Sequence, residues 1–141
     1  MFERLTAILP RLGNDAYATL PEQTGDGSEE NPYIWLHYIY NDAVRSLIEE
    51  SMRFVSEHEE MDLYDYQGIL RAAGIRWESD ALEKADVSGL DGRTVMAMVV
   101  AVVRAERFCD GALLEFCENG CIRRWLERLK EIDEADRERS T

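Results

Sequence analysis

The chain has 141 residues, of which 45% are hydrophobic, and its 29 acidic against 16 basic side chains give a formal charge of −13. That length fits one domain, 1–141, and buries roughly two-thirds of its unfolded surface, so it folds without needing disulfides or a structural metal. The charge argues against coating phosphates or anionic membranes, either of which would repel the protein before local contact formed.

The longest apolar run, Val95 to Val103, is too short for a membrane span. The opening Met-Phe-Glu-Arg-Leu lacks the basic, apolar, small-residue order of a secretory signal, so a cytoplasmic location is expected. Cys109, Cys117 and Cys121 cannot pair off completely and read as small buried thiols in a reducing compartment.

In chain order, Phe2, Leu5, Ile8, Leu9 and Leu12 recur at spacings of three and four, which predicts a short amphipathic helix that Pro10 makes irregular. Residues 13–32 are rich in turn formers and carboxylates and predict an acidic loop. The dense aromatic run Tyr33 to Tyr40 has no clean period and predicts an extended lead into the core. Asn41 or Asp42 caps the next helix, whose apolar stripe is Val44, Leu47, Ile48, Ser51, Phe54 and Val55.

A third helix is predicted around Leu63 to Ala73, ending at Gly74, where a left-handed residue costs least. A short helical turn follows Ser79, and Asp91-Gly92 starts the longest helix, roughly 92–107. Apolar residues surround that helix, the pattern of a central element packed on several sides, although its β-branched run also allows a strand. A short helix through Ala112 to Phe116 ends at Asn119-Gly120. The last begins near Cys121 with a stripe of Ile122, Trp125, Leu126, Leu129 and Ile132, and its charged end, 134–141, is expected to fray. The fold expected is a single all-α domain of six to seven helices around a buried central helix.

The charge is uneven. Residues 1–91 hold 19 acids and 7 bases, whereas 92–141 hold 10 and 9. The densest acidic block contains Asp42, Glu49, Glu50, Glu57, Glu59, Glu60, Asp62 and Asp65. Carboxylates spaced along an exposed helix can occupy positions comparable to backbone phosphates and compete for an arginine-lined groove. The same block also reads as a solvated face, with Arg45–Glu49 and Arg53–Glu57 pairs at i,i+4 and charge that serves solubility.

Glu106, Arg107, Cys109 and Asp110 form the densest polar cluster beside the apolar helix, and a cysteine near an arginine has the makings of a nucleophile. A partner base is missing nearby, since the histidines are His37 and His58, so Cys109 reads as a buried core residue and the Glu106–Arg107 pair as a tie to the next segment. Cys117 and Cys121 lack the partners of a metal shell. Trp35, Trp77 and Trp125 read as core or half-buried anchors.

The stretch Arg104-Ala105-Glu106-Arg107-Phe108-Cys109-Asp110-Gly111, followed by Glu118-Asn119-Gly120 and Ile122 and by Leu126 to Lys130, resembles a small bacterial family of domains of unknown function. The family core is Arg-Phe-Cys-acid-Gly with Asn-Gly following, and weaker similarity reaches upstream through Tyr38 and Val44, over about residues 33–130. The resemblance implies no established activity. It implies histidines in many members where this chain has Ala112 and Cys121, which weakens a metal or acid–base role here. It also implies a bacterial protein of the kind found on plasmids, integrated elements and phages, a setting in which small acidic proteins inhibit host defence complexes.

Charge and resemblance together predict a non-catalytic acidic binding protein that mimics nucleic acid and blocks a nucleic-acid-binding complex such as a CRISPR or other bacterial defence effector. Its partner would be a basic protein or nucleoprotein complex, with no cofactor, no metal, no direct nucleic acid and no membrane. The alternatives are a small enzyme using Glu106, Arg107, Cys109 and Asp110, or an oligomerising scaffold whose segment Tyr33 to Tyr40 packs on a partner.

Overall fold

The computed structural model describes residues 1–13, 16–19, 27–30 and 38–140. Seven α-helices and one two-stranded antiparallel ribbon are formed among them: α1 Glu3–Thr6, β1 Ala18–Thr19, β2 Ile39–Tyr40, α2 Asp42–Glu57, α3 Tyr66–Ala72, α4 Ser79–Lys84, α5 Gly92–Ala105, α6 Ala112–Glu118 and α7 Cys121–Ser140. The all-α expectation holds, with α5 at the centre. Every residue from Val95 to Ala101 is fully buried, and α2, α3, α6 and α7 all pack against this helix.

The β-branched run of α5 is helical because both helix requirements are met. Asp91 caps the first turn by accepting the Thr94 N–H at 2.8 Å. Neighbours on all sides then cover a cylinder that is apolar all round, where a two-faced strand would need two flanking sheets. Gly92 opens the helix because a Cβ there would lie 2.5 Å from Cζ of the buried Phe2 ring.

At the start of the chain, the five apolar residues predicted to face inward are all buried, but Pro10 divides the segment into α1 and a 3-10 turn, Leu9–Arg11. The acidic loop predicted for 13–32 is interrupted by β1, which pairs Ala18 with Tyr40 and Thr19 with Ile39. Glu22 and Asp26 of that loop, and Tyr33 to His37 of the aromatic run, lie outside the described residues.

In α2, Asn41 is the cap, accepting the Val44 N–H at 2.9 Å, and Val44, Leu47, Ser51, Phe54 and Val55 are buried as the stripe predicted. The third helix is shorter than 63–73, because its first residues form a separate 3-10 turn, Leu63–Asp65. Gly74 ends it with φ +77°. In α7, Ile122, Trp125, Leu126 and Leu129 are buried.

α7 continues past Asp133 through the charged end to Ser140. An i,i+3 ion pair, Arg139–Asp136 at 3.8 Å, and arginines in the last turn favour the helix against its own dipole. No helix among the described residues is long and apolar enough to cross a membrane.

Candidate functional site

Seven of the eight carboxylates singled out in the sequence are exposed: Asp42, Glu49, Glu57, Glu59, Glu60, Asp62 and Asp65. Glu50 is the exception. It is drawn against α1, with Arg53 Nη1 at 3.1 Å and Arg4 Nη1 at 4.0 Å, so its charge is spent within the molecule. Along α2 the exposed acids alternate with Arg45 and Arg53, as a solvated helix face does.

The acidity concentrates where α2 ends. The chain leaves the helix at His58, makes a 3-10 turn over Glu59–Met61, and reverses through Asp62, the one non-glycine residue with positive φ (+51°) among the described residues, before the 3-10 turn Leu63–Asp65. Buried Phe54, Leu63 and Tyr66 anchor this corner from below, and Arg93 Nε donates to the Met61 carbonyl at 2.7 Å. Glu57, Glu59, Glu60, Asp62 and Asp65 are all exposed around this reversal, with the Asp65 carboxylate lying against Gly68 at the start of α3.

No lysine or arginine lies between Glu57 and Asp65. The last turn of α2 also has no basic side chain to offset the negative end of the helix dipole. His58 stacks on Phe54 at 4.1 Å between ring centroids, and its Nδ1 lies 3.1 Å from Glu60 Oε1. Glu60 stays below the usual carboxylate range through its own backbone N–H and through His58. The corner thus gathers five carboxylates with no lysine or arginine in the same stretch of chain.

The second cluster divides into two parts. Glu106 lies just past the end of α5, and its Oε1 and Oε2 accept the Gly111 N–H at 3.0 and 2.9 Å. Oε1 also accepts the phenol of Tyr40 from β2. Gly111 takes φ +94° and lies so close to the Tyr38 ring that a Cβ would be 3.1 Å from it. The carboxylate thereby ties α5, β2 and the start of α6 together, the role expected of a charged group ending a buried helix.

Burial raises the Tyr40 phenol, and donation to Glu106 and the charge of that carboxylate raise it further. Burial, with the charges of Glu106 and Glu118, pushes the Cys117 thiol up to about 12, which leaves it protonated at neutral pH. Asn119 and Gly120 complete the structural part: Asn119 Oδ1 accepts the Cys121 N–H at 3.0 Å, and Gly120 takes φ +83° to turn the chain into α7.

Arg107, Phe108, Cys109 and Asp110 do not share that role. All four are exposed, Phe108 at 86%. Cys109 is the exposed one of the three cysteines, against the expectation of burial. The reason is local: helix α5 ends at Ala105, and the following turn lifts these side chains off its apolar period. Trp125 is a core anchor and Trp77 a half-buried one, 47% exposed and packed on Tyr66 with ring centroids 5.8 Å apart. Trp35 and His37 lie outside the described residues.

What escaped the sequence reading was the joint itself, in which Tyr40 meets Glu106 and Tyr38 meets Gly111. Tyr40 and Glu106 are 66 positions apart, and no local pattern links them. Among the described residues no group of three or more His, Cys, Asp or Glu side chains is placed to hold a metal ion.

No curated protein and no solved structure matches the chain. A family does match, described as "Family of unknown function (DUF6508)", over residues 1–135, wider than the 33–130 span of the sequence resemblance. That span takes in both the acidic corner and the Glu106 joint, and the chain belongs to this family.

Proposed function

We propose that the protein is a non-catalytic acidic binding protein that docks on a basic, nucleic-acid-handling partner, and that its anionic corner competes there for the groove that receives phosphates. The observation that supports this reading is the group Glu57, Glu59, Glu60, Asp62 and Asp65, exposed around one chain reversal at the negative end of α2. Carboxylates placed there repel each other and the helix end in the free protein, and a cationic surface relieves both. In a bacterial defence setting the partner class would be an effector complex with an arginine-rich nucleic-acid channel.

The test is a pulldown from lysate with the purified chain and with a variant carrying Glu57→Lys, Glu59→Lys and Glu60→Lys. Glu50 is kept, because it pairs with Arg53. The expected outcome is a basic partner captured by the native chain, released by salt and by competing DNA, and not captured by the variant, with unchanged circular dichroism. Equal capture by the variant would refute the reading.

A further inference from the structure

His58 is the one histidine among the described residues, and it stands at the head of the acidic corner as the residue that ends α2, its N–H bonded to the Phe54 carbonyl at 2.9 Å. Its ring is held at two points. One face stacks on Phe54, and Nδ1 faces Glu60 Oε1 at 3.1 Å. Only 23% of the side chain is open to solvent.

We propose that His58 is a pH-sensitive switch built into the acidic corner: on taking up a proton it sets a positive charge among Glu57, Glu59 and Glu60 and weakens the hold of the corner on a cationic partner. This rests on the binding reading above, whose site it regulates.

The other cations near the ring are engaged elsewhere. A cavity of about 150 Å³ beside it is walled by Met1, Glu3, Arg4, Glu50, Arg53 and Glu57. Arg4 and Arg53 lie against Glu50, and the Met1 amine lies against Glu3 and Asp133. Arg93, from α5, donates to the Met61 carbonyl. Histidine is the side chain that changes charge between pH 5 and 8, above the range in which carboxylates ordinarily titrate. Glu60, held below that range by its own backbone N–H and by His58, keeps its charge throughout. The imidazolium is held where it forms, by Glu60 as a charge-assisted acceptor, by the negative end of α2 and by the face of Phe54.

The test is a titration of the full, isotope-labelled chain with tetralysine at low salt, read by NMR from the backbone amides of Glu59 to Asp65 at about pH 7.5 and about pH 5.5. The expected result is binding at the corner that is weaker by about threefold at the lower pH, the effect of one added charge at about 6 Å in water. His58→Gln, which cannot charge, is expected to bind equally at both pH values, and His58→Arg, which is always charged, to bind weakly at both. Unchanged melting curves verify the fold of each variant. The native chain without peptide gives a check free of substitutions: the His58 ring signals and the corner amides are expected to move with one common midpoint. Equal affinity at both pH values overturns the switch, as does a loss that persists in His58→Gln or corner amides that ignore the His58 titration. Absence of any tetralysine shift at the corner at either pH refutes the binding reading, and the switch with it.

Discussion

The carboxylate of Asp133 accepts the backbone N–H of Phe2 at 2.8 Å, joining residues 131 positions apart. Asp133 is only 5% exposed, and its other oxygen lies 3.2 Å from the Met1 amine. It fixes α1 on α7 and sets the Phe2 ring over Phe54, 5.3 Å away. Asp133→Ala leaves a buried N–H without a partner and is expected to cost about 1–3 kcal/mol in urea unfolding. Asp133→Asn, which keeps an acceptor oxygen, is expected to lose less. Equal losses would mean that the charge on the amine, rather than the Phe2 bond, carries the interaction.

Gly92 gives a prediction opposite in sign to helix propensity. Alanine is favoured over glycine by up to about 1 kcal/mol in a helix. Here its Cβ would meet the Phe2 ring at 2.5 Å, and that ring is held by the core on its other side. Gly92→Ala is therefore expected to lower the melting temperature, and Gly92→Ala combined with Phe2→Leu to recover part of the loss. A stabilised single variant would show that the ring moves aside freely.

The cap of α5 makes stability depend on pH in a defined direction. Asp91 is held below the usual aspartate range by its bonds to the Thr94 side chain and backbone. A lowered native pKa means that the contribution is complete above the unfolded value, near pH 4, and is lost as pH falls through the native value. Asp91→Ala is expected to cost about 1 kcal/mol at pH 7. The gap between the two proteins should close steadily below pH 4, as read from urea midpoints.

Glu106 is expected to behave as one unit with Tyr40. Glu106→Ala removes the acceptor of both the Gly111 N–H and the Tyr40 phenol and should cost about 2–3 kcal/mol. Tyr40→Phe should cost about 1 kcal/mol alone and less in the Glu106→Ala background. Additive losses in this double-mutant cycle would separate the two residues energetically.

The elements that announce themselves by period or cap were legible in the sequence. The α2 stripe, the all-round apolar α5 and the Ile122-to-Ile132 stripe each describe a surface that must be covered, and each is buried where its pattern placed it except at Ile48 and Ile132, which are half-buried. The role of Glu106 as a tie was legible too, since a charge at the end of a buried helix needs a partner. What the sequence did not carry was which partner. Nothing in the sequence marked Asp133, at the edge of the charged end, as buried, and only the chain's other end explains its burial. Cys109 looked like a core residue because composition ignores where a helix stops. Glu50 is indistinguishable from Glu49 in the sequence, yet one step around the helix turns it toward Arg4.

The complete burial of α5 also has a bearing on how the protein is made. Trp125, Leu126 and Leu129 of α7 close the side of α5 that the preceding helices leave open. Synthesis therefore delivers the most apolar helix well before its final cover. A nascent chain halted before Cys121 would display the valine-rich surface to every chaperone and protease nearby. Folding can reach completion only after α7 clears the ribosome, and premature termination would yield a substrate for degradation, never a smaller working domain.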